Sequence, residues 1–149
     1  MSRLYFHLDF SGRDCILLRE SHAVKHYDYI EADDCYDMAV GWIRHGNHEK
    51  ALNCLSRAID LNPNFIYAYI ALARVFAARK RFSDAVHILK KASRVDPSFD
   101  RLPYLMAKYA YKNGDYKNAL LFIGRAMEIS GSELYVHARG LIEDRYRHH

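Results

Sequence analysis

Asn53-Cys54-Leu55-Ser56-Arg57-Ala58-Ile59-Asp60-Leu61-Asn62-Pro63 decides how the rest of the chain is read. A run of the same character returns thirty-four residues later, ending in Ile88-Leu89-Lys90-Lys91-Ala92-Ser93-Arg94-Val95-Asp96-Pro97. It returns again as Phe122-Ile123-Gly124-Arg125-Ala126-Met127-Glu128-Ile129-Ser130. On that period residues 32–65, 66–99 and 100–133 form three rows. Alanines align as Ala39, Ala73 and Ala107, as Ala51, Ala85 and Ala119, and as Ala58, Ala92 and Ala126. Large apolar residues align as Met38, Leu72 and Met106, as Leu55, Leu89 and Ile123, and as Leu61, Val95 and Ile129. Pro63 and Pro97 close two rows, and Gly131 stands where a third proline would fall.

Small residues at fixed spacing have a packing reason. Two antiparallel helices approach closely only where side chains are small, so Ala39 and Ala51 mark a seam that Trp42 and Leu55 fill around. One helical pair cannot bury its apolar stripe alone, and stacking the next pair does so. Gly46-Asn47 and Gly114-Asp115 mark turns, where a left-handed backbone is cheap for Gly or Asn. Arg81-Phe82-Ser83 is read as the corresponding slot in row two, without a glycine. Helices are expected over Asp33–His45, His48–Leu61, Phe65–Arg79 and Phe82–Val95, then up to Asn113 and over Tyr116–Ile129. Pro103 fits if it falls in the first turn of its helix, where a missing N–H costs nothing. After Ser132-Glu133, the spacing of Leu134, Ala138, Leu141 and Ile142 predicts a terminal helix that covers the last apolar face. Arg145-Tyr146-Arg147-His148-His149 reads as a frayed, exposed end.

The rows resemble the tetratricopeptide repeat over 102 of 149 residues. Row one supplies Cys35, Met38, Ala39, Trp42, Ala51, Leu55, Ala58 and Pro63; row two supplies Tyr69, Leu72, Ala73, Phe76, Ala85, Leu89, Ala92 and Pro97. Row three departs, with Pro103 in its first helix, Ala110 for the aromatic and no closing proline. The resemblance implies an all-α fold: a tetratricopeptide-type α-solenoid of three helix-turn-helix repeats (32–65, 66–99, 100–133). Residues 134–149 would form the C-terminal capping helix and tail, and residues 1–31 an N-terminal extension.

That extension reads in two ways. Leu4, Phe6, Leu8 and Phe10 alternate with Tyr5, His7 and Asp9, the period of a half-buried strand, and Ser11-Gly12-Arg13-Asp14 is a turn before Cys15-Ile16-Leu17-Leu18. A short β-hairpin follows from this. Residues 15–31 also fit an amphipathic helix running into row one. A lone hairpin is marginal in water, so it would lie on the first repeat or pair with a second chain as a homodimer.

Composition narrows the class. Half the residues are apolar and 27% charged, ordinary for a globular domain. The apolar runs fall far short of the roughly 18 residues that a membrane span needs, and Asp9 interrupts the only apolar run near the start, so neither an anchor nor a signal peptide is read. Cytoplasmic residence is the default expectation. Cys15, Cys35 and Cys54 are an odd, unspaced set, read as buried thiols. The net charge of +4 is uneven: residues 1–65 carry 7 basic and 10 acidic side chains, residues 66–133 carry 12 basic and 6 acidic. Such asymmetry suits an acidic partner of the second half, chains meeting head to tail, or a plain solvated face.

Catalytic patterns are not evident: there is no phosphate-cradling glycine loop, no Gly-x-Ser-x-Gly elbow and no His-Glu-x-x-His. A non-enzymatic role without a cofactor is expected. His22 and His26 stand one helical turn apart and His45 and His48 flank a turn, but neither pair has the third ligand that zinc normally takes, so no metal site is read.

The resemblance implies that the first helix of each repeat lines a concave groove. Its positions here are Asp33, Tyr36, Val40, Ile43 and Arg44, then Tyr67, Ile70, Arg74, Ala77 and Ala78, then Arg101, Tyr104, Lys108, Tyr111 and Lys112. Tyrosine offers amphipathic contact area at low entropic cost and arginine takes carboxylates bidentately. An adaptor or scaffold that binds a protein or peptide with apolar and acidic side chains is the first reading. The clamp by which some family members grip the carboxyl terminus of chaperones would fall on Tyr36, Val40, Ala71, Arg101 and Leu105, and only one of five is retained. A second reading is a chaperone of secreted proteins, resembling the type III secretion chaperones, whose helical N-terminal segment differs from a strand-like one. RNA binding by the basic half with stacking tyrosines is the third, weakened because no basic run exceeds Arg79-Lys80-Arg81.

Overall fold

The computed structural model describes residues 28–149. Seven helices and no strand occur among them: α1 Tyr29–Arg44, α2 His48–Leu61, α3 Ile66–Ala78, α4 Phe82–Val95, α5 Arg101–Lys112, α6 Tyr116–Ile129 and α7 Glu133–Arg147. The β-hairpin and the alternative helix expected before row one lie outside the described residues. Each helix packs on the next in sequence, and α1 also touches α3, so the chain climbs as a stack of hairpins.

The alanine columns are the seams. Ala39, Ala51, Ala58, Ala73, Ala85, Ala92, Ala119 and Ala126 are completely buried and Ala107 nearly so. Leu55, Leu89 and Ile123, one per hairpin, fill the space beside them with no exposure. The core has two parts. Cys35, Leu55, Leu72 and Val75 belong to one that joins α1, α2 and α3. Leu89, Leu102, Met106, Ile123 and Ile142 belong to another that runs from α3 to α7. Ile59, Phe76 and Ile88 pack against both.

The turns follow the same period with one exception in residue type. Gly46 and Gly114 adopt φ of 72° and 79°, and the residue in the equivalent place of the middle hairpin is Lys80, at φ 59°. The turn therefore pivots on Lys80, one residue before the slot read from the sequence. Asn47 and Asp115 accept capping bonds from the amides of Lys50 and Asn118 (3.1 and 3.2 Å). Arg81, in the same position before α4, makes no cap and instead reaches Asp84 at 2.7 Å.

Two ends differ from expectation by more than a residue, and Pro103 lies where it was expected. α1 begins at Tyr29, four residues early, because the Asp28 carboxylate accepts from the Glu31 amide at 2.9 Å and caps it there. Pro103 is buried in the first turn of α5, where no intrahelical partner for its nitrogen exists. α7 runs through Arg147, so the basic end is exposed but helical rather than frayed.

Candidate functional site

The first helices of the three hairpins, α1, α3 and α5, carry the groove residues read from the sequence. On α1, Tyr36 and Val40 are half-buried, with the Tyr36 ring 5.0 Å from Phe65, and Arg44 is exposed in the last turn. On α3, Tyr67 is 54% exposed and meets Phe99 edge-on at 6.3 Å, and Arg74 is exposed. Ile70 is a correction: at 7% exposure it belongs to the core shared by α3 and α5 and is closed to a partner. On α5, Arg101, Lys108 and Lys112 are exposed, while Tyr104 and Tyr111 are half-buried.

The tyrosines are held rather than loose. Tyr104 packs on Tyr135 of α7 at 5.2 Å between centroids, and Tyr111 on Tyr116 at 5.5 Å. Tyr109, on the other side of α5, is buried against Phe82, and burial pushes its phenol up while the nearby Arg74 guanidinium opposes the shift. The Tyr69 hydroxyl donates to the Pro63 carbonyl at 3.0 Å, tying α3 to the loop before it; burial and then the charge of Asp60 raise its pKa.

Charge on these helices is one-sided. α1 carries Glu31, Asp33, Asp34 and Asp37. α3 and α5 contain no acidic residue at all. Among the described residues, the ion pairs are Arg57–Glu31, Arg81–Asp84, Arg139–Glu143 and His148–Asp144. Arg44, Arg74, Arg101, Lys108 and Lys112 are in none of them.

Three of the expected residues, Tyr104, Lys108 and Tyr111, meet in one cleft of about 320 Å³ between α5 and α7. Its other side comes from α7, which the sequence reading assigned to capping alone. The buried stripe of α7 is Tyr135, Ala138 and Ile142, not Leu134 and Leu141, which are 54% and 58% exposed. The expected and observed sets share Ala138 and Ile142 and both fit a helical period, but the buried face is turned from the expected one by about 50°, half of a residue's 100° step. The hydroxyl of Tyr135 decides between them. It donates to Asp100 at 2.9 Å, and burial followed by that bond and that charge pushes its pKa up to about 12. A tyrosine with its hydroxyl partner waiting on the preceding repeat was the available signal.

No group of three or more His, Cys, Asp or Glu side chains among the described residues is placed to hold a metal ion. His22 and His26 lie outside the described residues; the His45 ring hydrogen-bonds the Gly41 carbonyl at 2.8 Å. Cys35 and Cys54 are free thiols, and burial pushes the Cys35 thiol up, away from its reactive form. Cys15 is outside the described residues. No described helix is long and apolar enough to cross a membrane.

Residues 43–109 match the family model described as tetratricopeptide repeat. With the stacked hairpins, this identifies residues 43–109 as tetratricopeptide repeat. It is 29% identical over 99 residues to anaphase-promoting complex subunit 3 of Schizosaccharomyces pombe, covering 66% of this chain and 15% of that protein. The chain thus spans about 15% of the length of that curated relative. Two solved structures share the fold. The first tetratricopeptide domain of Spaghetti (RPAP3), bound to an HSP90 peptide, has a TM-score of 0.73 at 15% identity, over 82% of this chain and 98% of that one. The Yersinia enterocolitica type III secretion chaperone SycD, in complex with a peptide of the translocator YopD, has a TM-score of 0.69 at 16% identity, over 76% and 93%.

Proposed function

We propose that this protein is a non-enzymatic interaction module that holds an acidic peptide segment with apolar anchors along the face made by α1, α3 and α5. The observation that carries the reading is the acid-free character of α3 and α5, whose four exposed cations Arg74, Arg101, Lys108 and Lys112 have no carboxylate partner among the described residues. Cations left unpaired side by side on neighbouring helices raise the local potential, which speeds and orients the arrival of an anionic chain. Tyr67, Tyr104 and Tyr111 are carried by the same two helices and packed against aromatic neighbours, so binding need not freeze them. The peptide-bound RPAP3 and SycD structures, with the same architecture, support the use of such a stack for capturing a peptide.

The test is fluorescence anisotropy with labelled peptides rich in glutamate and leucine, against matched peptides in which lysine replaces glutamate and against a single-stranded RNA. Acidic peptides bind in preference, and Arg74→Glu with Lys108→Glu weakens that binding tenfold or more while the helical circular dichroism stays unchanged. Equal retention of the acidic and basic peptides sinks the reading. Preference for the RNA with a steep salt dependence replaces it with nucleic-acid binding.

A further inference from the structure

We propose that the cleft between α5 and α7 is an anchor pocket for one leucine-sized aliphatic side chain of the acidic partner. This rests on the peptide-binding reading above and names the end of the site at which the apolar anchor is taken.

The cleft has an apolar floor and a charged rim. Ala107, Ile123 and Ile142, each at most 5% exposed, form the floor. Leu141 stands over it from α7 with most of its side chain in water. An exposed leucine beside a formed apolar floor is a patch that the described chain does not cover. At about 320 Å³ the cleft is near the lower limit of sites that enclose whole small molecules. It is open to solvent along one side, so a side chain projecting from a longer segment fits it better than a free ligand.

The rim states the charge of that segment. Lys108 on α5 and Arg145 on α7 stand on the two sides, and neither is in an ion pair among the described residues. The one carboxylate in the lining, Asp144, has His148 for a neighbour at 3.7 Å. A carboxylate flanking the anchor would meet Lys108 directly, and the cations of α3 and α5 continue the same potential along the stack. A segment with a basic residue beside its anchor would meet repulsion on both sides.

Two pools of fluorescein-labelled, N-acetylated decapeptides of glutamate, serine and glycine test this on the full chain. One pool carries a single leucine next to a glutamate at varied positions; the other carries alanine there. The leucine pool binds about tenfold more tightly and shifts the methyl resonances of Ile123 and Ile142, which the alanine pool leaves in place. Leu141→Gln, at an exposed position where the fold tolerates it, abolishes the leucine preference and leaves the affinity for the alanine pool as it was. Equal binding of the two pools, a preference that survives Leu141→Gln, or unmoved isoleucine methyls overturns the anchor pocket while the groove reading stands. Absence of binding to either pool overturns both. Isoleucine shifts produced by raising the protein concentration alone would give the cleft to a second copy of the chain and also overturn the proposal.

Discussion

Lys80 holds a backbone that glycine holds in the two other hairpins, at φ 59° against 72° for Gly46 and 79° for Gly114. A side chain in this region costs about 1–2 kcal/mol through the contact of its Cβ with the following carbonyl. Part of that is offset because lysine has less freedom to lose on folding than glycine. Lys80→Gly is therefore expected to stabilise the protein by about 0.5–1 kcal/mol, read as a higher urea midpoint with unchanged slope. Tyr135 works in the opposite sense. Its hydroxyl bond to Asp100 joins α7 to the start of α5, and Tyr135→Phe should cost about 1–3 kcal/mol at neutral pH. Its phenol is raised from 10 to about 12, so the fold favours the neutral form. The associated stability is complete below pH 10 and disappears as the pH rises through 12. The gap between wild type and Tyr135→Phe in urea titrations should accordingly close over that window. If it persists unchanged at pH 12, the hydroxyl contributes nothing that its ionisation removes. Both residues were poorly legible in advance. Lys80 sits on the glycine column, but lysine carries no turn signal of its own, and the meaning of Tyr135 depends on a partner thirty-five residues away.

Among the elements, the hairpins were the legible part and α7 the misread one. Alanine columns at a fixed period report helix contact directly, because only a close approach excludes larger side chains. α2, α4 and α6 accordingly fall on the residues expected of them. The same physics makes the seams intolerant. Ala85→Leu, at a completely buried position, should cost about 1–3 kcal/mol by overpacking, measured by thermal denaturation. A gain in stability there would mean that the seam is looser than its alanines imply. α7 lacks that redundancy. With no further row to align, two overlapping apolar stripes compete for the buried face, and hydrophobic spacing does not rank them. The outcome sends Leu141 and Arg145 to the cleft, so half of its wall was invisible while Tyr104, Lys108 and Tyr111 were found from the repeat register. Ile70 failed for the converse reason. A register copied from one repeat to another ignores local rotation of the helix, and α3, surrounded on most sides, buries seven of its thirteen residues.

For the molecule as a whole, the charge asymmetry seen along the chain becomes spatial: four acids on α1, none on α3 or α5. Binding of an acidic segment should thus weaken steeply between low and physiological salt, since the Debye length falls to about 8 Å at 0.15 M, and calorimetry across a salt series measures it. A salt-independent affinity would assign the binding to the apolar cleft alone. The junction of the two cores at Ile59, Phe76 and Ile88 has a different consequence. The first hairpin is tied to the rest by the face of α3 that carries Leu72 and Val75 and by these three side chains, and not by the second core, so opening is not expected to be one event. Amide exchange of α1 and α2 should outpace that of α4, α5 and α6, and Phe76→Ala should widen the ratio. The first hairpin can then melt and reclose on its own while the basic helices, and whatever they grip, remain assembled.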